Sequence, residues 1–216
     1  MEVLLTTPFV EPAVSIQFEI IPDALGEKEL RVVFKPSPEK PALGEAGPQA
    51  GDTALLDRTT VLVSLGKASK LSPESFRQAG GGLAKWLGQN QIEQLHLDVA
   101  SLNSLGVAGD LPALVEGLLL GAFRFDRYKE DEKDTTTSKV ILHSQQAATL
   151  ERILQRSEQI CAAVNLARDW AHEPANVINP ITLAERAQAV ASQYGLKCTI
   201  LDESQLNEMG AGAIVA

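Results

Sequence analysis

The sequence predicts an α/β layered sandwich built on a mostly parallel sheet, followed by a long helix and the opening elements of a second α/β unit. Three observations carry this expectation. Thr60 to Leu65 is a nearly continuous apolar run, as a strand reads when both faces of its sheet are covered. Strand and helix patterns then alternate as far as His143, and crossovers of that length imply parallel pairing. From Gln145 to His172 the apolar residues keep helical spacing without a break.

The elements follow in order. Ala13 to Ile21 alternates apolar and polar residues, the pattern of a half-buried strand, and Leu30 to Phe34 is a second β-rich run. Asp23 to Glu27 lies between them, so a hairpin is expected. Residues 35–58 read as a loop, with Pro36, Pro38, Pro41, Gly44, Gly47, Pro48 and Gly51 spaced through scattered charges. After the Thr60 strand, Ser72 and Pro73 mark a helix start running to about Leu87. Ile92 to Val99 alternates as a strand, Asp110 and Pro112 open a helix to about Phe123, and Lys139 to His143 is a further strand.

The long helix presents Leu150, Ile153, Leu154, Cys161, Val164, Ala167 and Ala171 on one side, with charged residues opposite. It is expected to be about 40 Å long at 1.5 Å per residue, an inter-domain strut ended by Pro174. Asn179 or Thr182 can cap the next helix, which Gly195 stops near Tyr194. A strand at Leu196 to Leu201, a short helix at Glu203 to Glu208 and a strand from Ala211, cut part-way, complete the pattern. The apolar ending predicts that the chain is the front part of a longer protein.

Composition narrows the function. The chain has 216 residues, of which 44% are apolar, enough to bury a substantial core. Its net charge of -9 disfavours binding to a phosphate backbone or an anionic membrane. Glu2, Pro8 and Glu11 are out of place in a signal peptide, and no apolar run approaches the length of a membrane span, so a cytoplasmic location is expected. Cys161 and Cys198 lie far apart in different elements and read as two free thiols.

The residues with chemical potential read blandly when taken singly. His96, His143 and His172 are isolated in the sequence, with no HExxH and no carboxylate–histidine spacing, so neither a metal site nor a catalytic residue is assigned. His172 suits the negative end of the long helix. Gly80, Gly81 and Gly82 fall inside a helix and not between a strand and a helix N-terminus, so they imply close packing or a helix break. Asp126 to Asp134 is a solvated mixed-charge loop, pinned by Phe123, Phe125 and Tyr128. No serine has a nucleophile-elbow context.

Several segments together resemble one family. They are Val61-Leu62-Val63-Ser64-Leu65-Gly66-Lys67, the run from Glu116-Gly117 to Phe125-Asp126-Arg127-Tyr128-Lys129, and Arg168-Asp169 with Glu173-Pro174-Ala175-Asn176, Asn179-Pro180, Leu183-Ala184 and Met209-Gly210-Ala211. In this order they resemble the leucine (cytosol) aminopeptidases from about Val61 to Ala216. Ser64 stands where the family usually has Gly, and Trp170-Ala171-His172 replaces an aliphatic-Asn-Thr wording.

The resemblance implies a macro-domain-like, three-layer α/β/α N-terminal domain over 1–144, a linking helix over 145–172 and the start of a catalytic domain over 173–216. It implies a metallo-exopeptidase acting on peptide N-termini, a hexameric assembly, and two divalent cations, Mn or Zn, held by Asp, Glu and Lys residues. The family's Asn-Thr-Asp-Ala-Glu-Gly-Arg segment has no match here, so no catalytic, metal or cofactor-binding residue carries over. The segment itself is expected to serve assembly and access. The alternatives are a macro-domain-like module for a nucleotide or ADP-ribose, and a non-catalytic assembly protein.

Overall fold

The computed structural model describes residues 15–37, 47–108, 110–129 and 137–215. Ala13 and Val14 of the expected first strand, residues 38–46 of the expected loop and residues 130–134 of the charge run lie outside them. The chain divides into two compact units, taken here in turn, whose described parts are 15–169 and 170–215.

The first unit is built on a six-stranded sheet in the order β1-β6-β5-β2-β4-β3. Its strands are β1 (Ser15–Ile21), β2 (Arg31–Ser37), β3 (Thr53–Asp57), β4 (Thr60–Lys67), β5 (Gln94–Asp98) and β6 (Thr137–His143). Every neighbouring pair is parallel except β3 with β4. The α/β expectation therefore holds.

Two local expectations do not. β1 and β2 form no hairpin, because β6 and β5 are inserted between them and all four run parallel. The link 22–30 must therefore return across the sheet instead of reversing the chain. The loop expected over 35–58 is shorter: β2 continues to Ser37, and Thr53–Asp57 is an antiparallel edge strand. The turn from β3 to β4 is an Asx turn, in which the Thr59 N–H donates to Asp57 Oδ1 at 2.8 Å. Prolines upstream masked the short strand, whose Leu55 and Leu56 are exposed.

One face of the sheet is apolar. Val32, Phe34, Val61, Val63, Leu65, Leu95, Leu97, Val140 and Leu142 point into the core. They meet Phe76, Leu83 and Leu87 of α1 (Pro73–Gln89) and Leu111, Leu114 and Leu118 of α3 (Asp110–Gly121). A five-residue helix α2 (Val99–Asn103), absent from the sequence reading, starts where the Asp98 side chain accepts from the Ala100 N–H at 3.0 Å. Gly80 and Gly82 pack α1 tightly. A Cβ on Gly80 would lie 2.3 Å from the Leu114 carbonyl oxygen, and one on Gly82 would lie 2.1 Å from that of Gly51. Close packing is the right reading of this run, with α3 and the Gly51 turn as the partners.

Helix α4 (Ala147–His172) occupies the expected span. Leu150, Leu154, Ser157, Cys161 and Asp169 are its buried residues, whereas Val164, Ala167 and Ala171 are exposed. The expected apolar stripe thus gives way to polar contacts after Cys161. Arg168 Nη1 donates to the Leu120 carbonyl at 2.8 Å and Asn165 Nδ2 to that of Leu119 at 3.4 Å. These are end-of-helix carbonyls of α3 that lack intrahelical partners. The Arg168 guanidinium also lies 4.2 Å from the Phe123 ring centroid, and Arg127 pairs with Asp169.

In the second unit α5 (Pro180–Gln193) starts at a capping box formed by Asn179 and Thr182. It ends at Gly195, whose φ of 65° lets the Leu196 N–H reach back to Ala191 O at 2.8 Å. The short helix α6 (Glu203–Glu208) is as expected, capped by Asp202. Leu196 to Leu201 is not a strand, and Gly212–Val215 is a helical turn (α7) where a strand was expected. A strand's backbone groups need a paired neighbour, and no strand among the described residues is paired with these runs. No helix among the described residues is long and apolar enough to cross a membrane.

Candidate functional site

The only grouping of potential metal ligands among the described residues is Glu29, His96 and His143. This corrects the expectation that the histidines are isolated. His96 and His143 are 47 residues apart, but β5 and β6 are neighbours in register, with His96 opposite Ile141 and Asp98 opposite His143. Partner side chains in a parallel pair share a face, so the two rings meet diagonally on the face away from α1 and α3. No local spacing rule reveals such a pair. Two histidines of matching parity on adjacent apolar strands are a signal only once strand order is known.

The link 22–30 lies against these rings and buries them. His143 Nδ1 is 2.9 Å from the Asp23 carbonyl oxygen, the His96 backbone N–H donates to Leu30 O at 2.8 Å, and Gln145 bonds the Pro22 carbonyl. His96 Nδ1 and His143 Nε2 are 2.9 Å apart, and Gln94 Nε2 is 3.1 Å from His96 Nε2. One proton arrangement satisfies all four groups. A carbonyl only accepts, so His143 carries its proton on Nδ1 and accepts on Nε2; His96 donates from Nδ1 and accepts the Gln94 amide at Nε2. Glu29 Oε2, held by the Gly26 N–H at 2.8 Å, stands 3.5 Å from His96 Nδ1.

Burial lowers the pKa of His96 below 6.5, with Glu29 opposing and His143 reinforcing the shift. The unfolded chain then binds a proton that the folded chain refuses. Its contribution to stability is complete above about pH 6.5 and is lost as pH falls through the lower folded value. The melting temperature should accordingly drop more steeply between about pH 7 and about pH 5 in the native chain than in His96→Gln. Parallel profiles measured by calorimetry would remove His96 from that account.

Beside His143, at the C-terminal ends of β1, β5 and β6, lies a cavity of about 600 Å³. Asp23, Arg31, Asp98, Asn103 and Gln146 contribute its polar lining. Strand C-termini are where open α/β sheets usually bind ligands. Gly80–Gly82 is not part of it. His172 is the last residue of α4 and is exposed. Cys161 and Cys198 are free, and burial pushes the Cys161 thiol up to about 11, so it stays protonated and inert. In the described part of the charge run Asp126 bonds Lys129 and, at 2.9 Å, Arg124, and Phe125 packs on Tyr128 at 5.8 Å.

Residues 52–132 match the N-terminal domain of the cytosol aminopeptidase family, and residues 165–216 match that family's catalytic domain. The chain belongs to the cytosol aminopeptidase family. It is 35% identical over 157 residues to the probable cytosol aminopeptidase of Aquifex aeolicus, covering 71% of this chain and 30% of that protein. For the Rhizobium etli relative the identity is 33% over 171 residues, covering 77% and 34%. The chain therefore spans about a third of the length of these curated relatives. A tomato leucine aminopeptidase structure shares its fold, with a TM-score of 0.68 and 22% identity over 93% of this chain and 47% of that one. The bottromycin maturation enzyme BotP, also solved with Mn, gives 0.59 and 23%, covering 93% of this chain and 40% of that one.

The resemblance implies a different kind of donor set for the family's two cations. Glu29–His96–His143 is an imidazole-rich group in the N-terminal unit, not a cluster of Asp, Glu and Lys.

Proposed function

We propose that this chain forms the N-terminal portion of a metal-dependent leucyl aminopeptidase that removes N-terminal residues from peptides in the cytoplasm. Within it, residues 1–144 form the N-terminal domain, 145–172 the linking helix and 173–216 the opening of the catalytic domain. The two family matches, falling in the family's order on one chain, are the observation that carries this reading.

The segment's own work is assembly, hexameric by the resemblance, and control of access; hydrolysis needs two divalent cations, Mn or Zn, held outside it. The carboxylates that its fold does bring near a cation are paired: Arg77 bridges Glu116 at 2.7 Å and Arg127 faces Asp169 at 3.3 Å. The first pair joins α1 to α3 and the second ties the segment after α3 to α4, so neither carboxylate is free to activate water.

The cavity beside His143 supports a second reading, a nucleotide-binding module. It is the weaker one, because among the described residues Asp23 and Asp98 line that cavity against Arg31, and the glycine run packs helices. A diphosphate calls for the opposite balance.

The test is an assay of the purified chain on an aminoacyl chromogenic amide with added Mn²⁺ or Zn²⁺. The expected result is no metal-dependent release above the enzyme-free control. Turnover that co-purifies with the chain and disappears with chelator would overturn the division of labour proposed here.

A further inference from the structure

We infer that Glu29, His96 and His143 form a binding site for one zinc-like divalent transition cation. The inference stands on geometry and is independent of the aminopeptidase reading.

One donor atom from each of Glu29, His96 and His143 lies within 4.8 Å of the other two. The separation of 2.9 Å between the nitrogens and of 3.5 Å from His96 Nδ1 to Glu29 Oε2 suits ligands around one small cation. Two nitrogens each about 2.05 Å from zinc are about 2.9 Å apart at a right angle and about 3.3 Å at the tetrahedral angle. Two imidazoles and a carboxylate select zinc or its neighbours over calcium or magnesium, which take oxygen donors.

The outer shell is also in place. A metal-binding histidine ordinarily donates its remote ring N–H to a carbonyl or carboxylate, which sets its tautomer. His143 already does so, through Nδ1 to the Asp23 carbonyl. In the metal-free arrangement one proton bridges the two rings. On binding, each ring turns off the line between the nitrogens so that both lone pairs converge on the cation. His96 then carries its proton on Nε2, and the Gln94 amide, turned over, accepts it through Oε1. No proton is released, and no other group changes charge. Glu29 is half-exposed, so its side of the site admits the cation and leaves a coordination position for water. The cation would fasten the link 22–30 onto β5 and β6, where three hydrogen bonds now hold it.

The experiment titrates the metal-free 216-residue chain with Zn²⁺ by calorimetry and with Co²⁺ by visible absorption. One equivalent of Zn²⁺ should bind and raise the melting temperature. The Co²⁺ spectrum should show ligand-field bands without thiolate charge transfer, which excludes Cys161 and Cys198 as ligands. Glu29→Gln should weaken Zn²⁺ binding at least tenfold, and His143→Gln should abolish it. Because Glu29 lies at the surface, its variant keeps the core intact and decides the matter if His143→Gln fails to fold. Absence of saturable binding, a thiolate signature, or affinity in Glu29→Gln within twofold of native would overturn the site.

Discussion

Gly117→Ala is expected to destabilise this chain by about 3 kcal/mol, near the top of the range for overpacking a close contact. A Cβ at Gly117 would sit 2.1 Å from the Arg77 carbonyl oxygen and 2.8 Å from its carbonyl carbon. Both are backbone atoms of α1, so no side chain can swing aside; α1 and α3 must separate or bend. The crossing is reciprocal, since Gly80 of α1 meets the Leu114 carbonyl of α3 in the same way. Moving the helices apart also strains the Arg77–Glu116 pair beside the crossing. Gly81→Ala provides the contrast: its nearest neighbour is Gly117 O at 3.8 Å, ordinary contact. There the higher helix propensity of alanine should stabilise by up to about 1 kcal/mol. Urea unfolding of the two variants should place their midpoints on opposite sides of the native chain. Equal shifts would mean that the helices slide freely and that the crossing does not depend on glycine.

Leu154→Ala carries the second large effect, a loss of about 2–5 kcal/mol for a buried leucine truncated in a packed setting. Leu154 belongs to the core cluster with Leu150, and Ile153 packs against it. Arg156, two residues on, faces solvent, so Arg156→Ala should change stability by less than about 0.5 kcal/mol. Thermal melts of both variants test whether α4 is seated on the first unit along its N-terminal half. Equal, small effects would make it a solvated linker.

Helix α4 also shows how far hydrophobic periodicity reaches. Leu150 and Leu154 mark its buried side because they join the apolar core of the first unit, and Cys161 Sγ follows on that side, against the Glu116 carbonyl at 3.8 Å. Val164 obeys the same spacing and is exposed, while Asn165 and Arg168 turn inward. Their partners are carbonyls in the last turn of α3, which no N–H within that helix reaches, and such oxygens attract donors however apolar the neighbouring positions are. Nothing in the residues 145–172 announces where another helix ends.

Several features were decided locally and could be read from the chain alone. Pro73, Asn179 with Thr182, Gly195 and Asp202 start or stop helices through bonds and backbone angles within a few residues of themselves. Alternation of strand and helix required parallel pairing, and the run from Val61 with the Glu116–Lys129 and Arg168–Asn176 segments placed the chain in its family. Strand order, by contrast, depends on which surfaces meet. Inserting β6 and β5 between β1 and β2 turned an expected hairpin into a crossing link and set His96 beside His143. It also drew Glu29 and the Asp23 carbonyl to them. The runs at Leu196–Leu201 and from Ala211 fail as strands for the same reason: a strand's hydrogen bonds point outward to a neighbour, so its sequence alone cannot complete it, whereas a helix closes its bonds on itself.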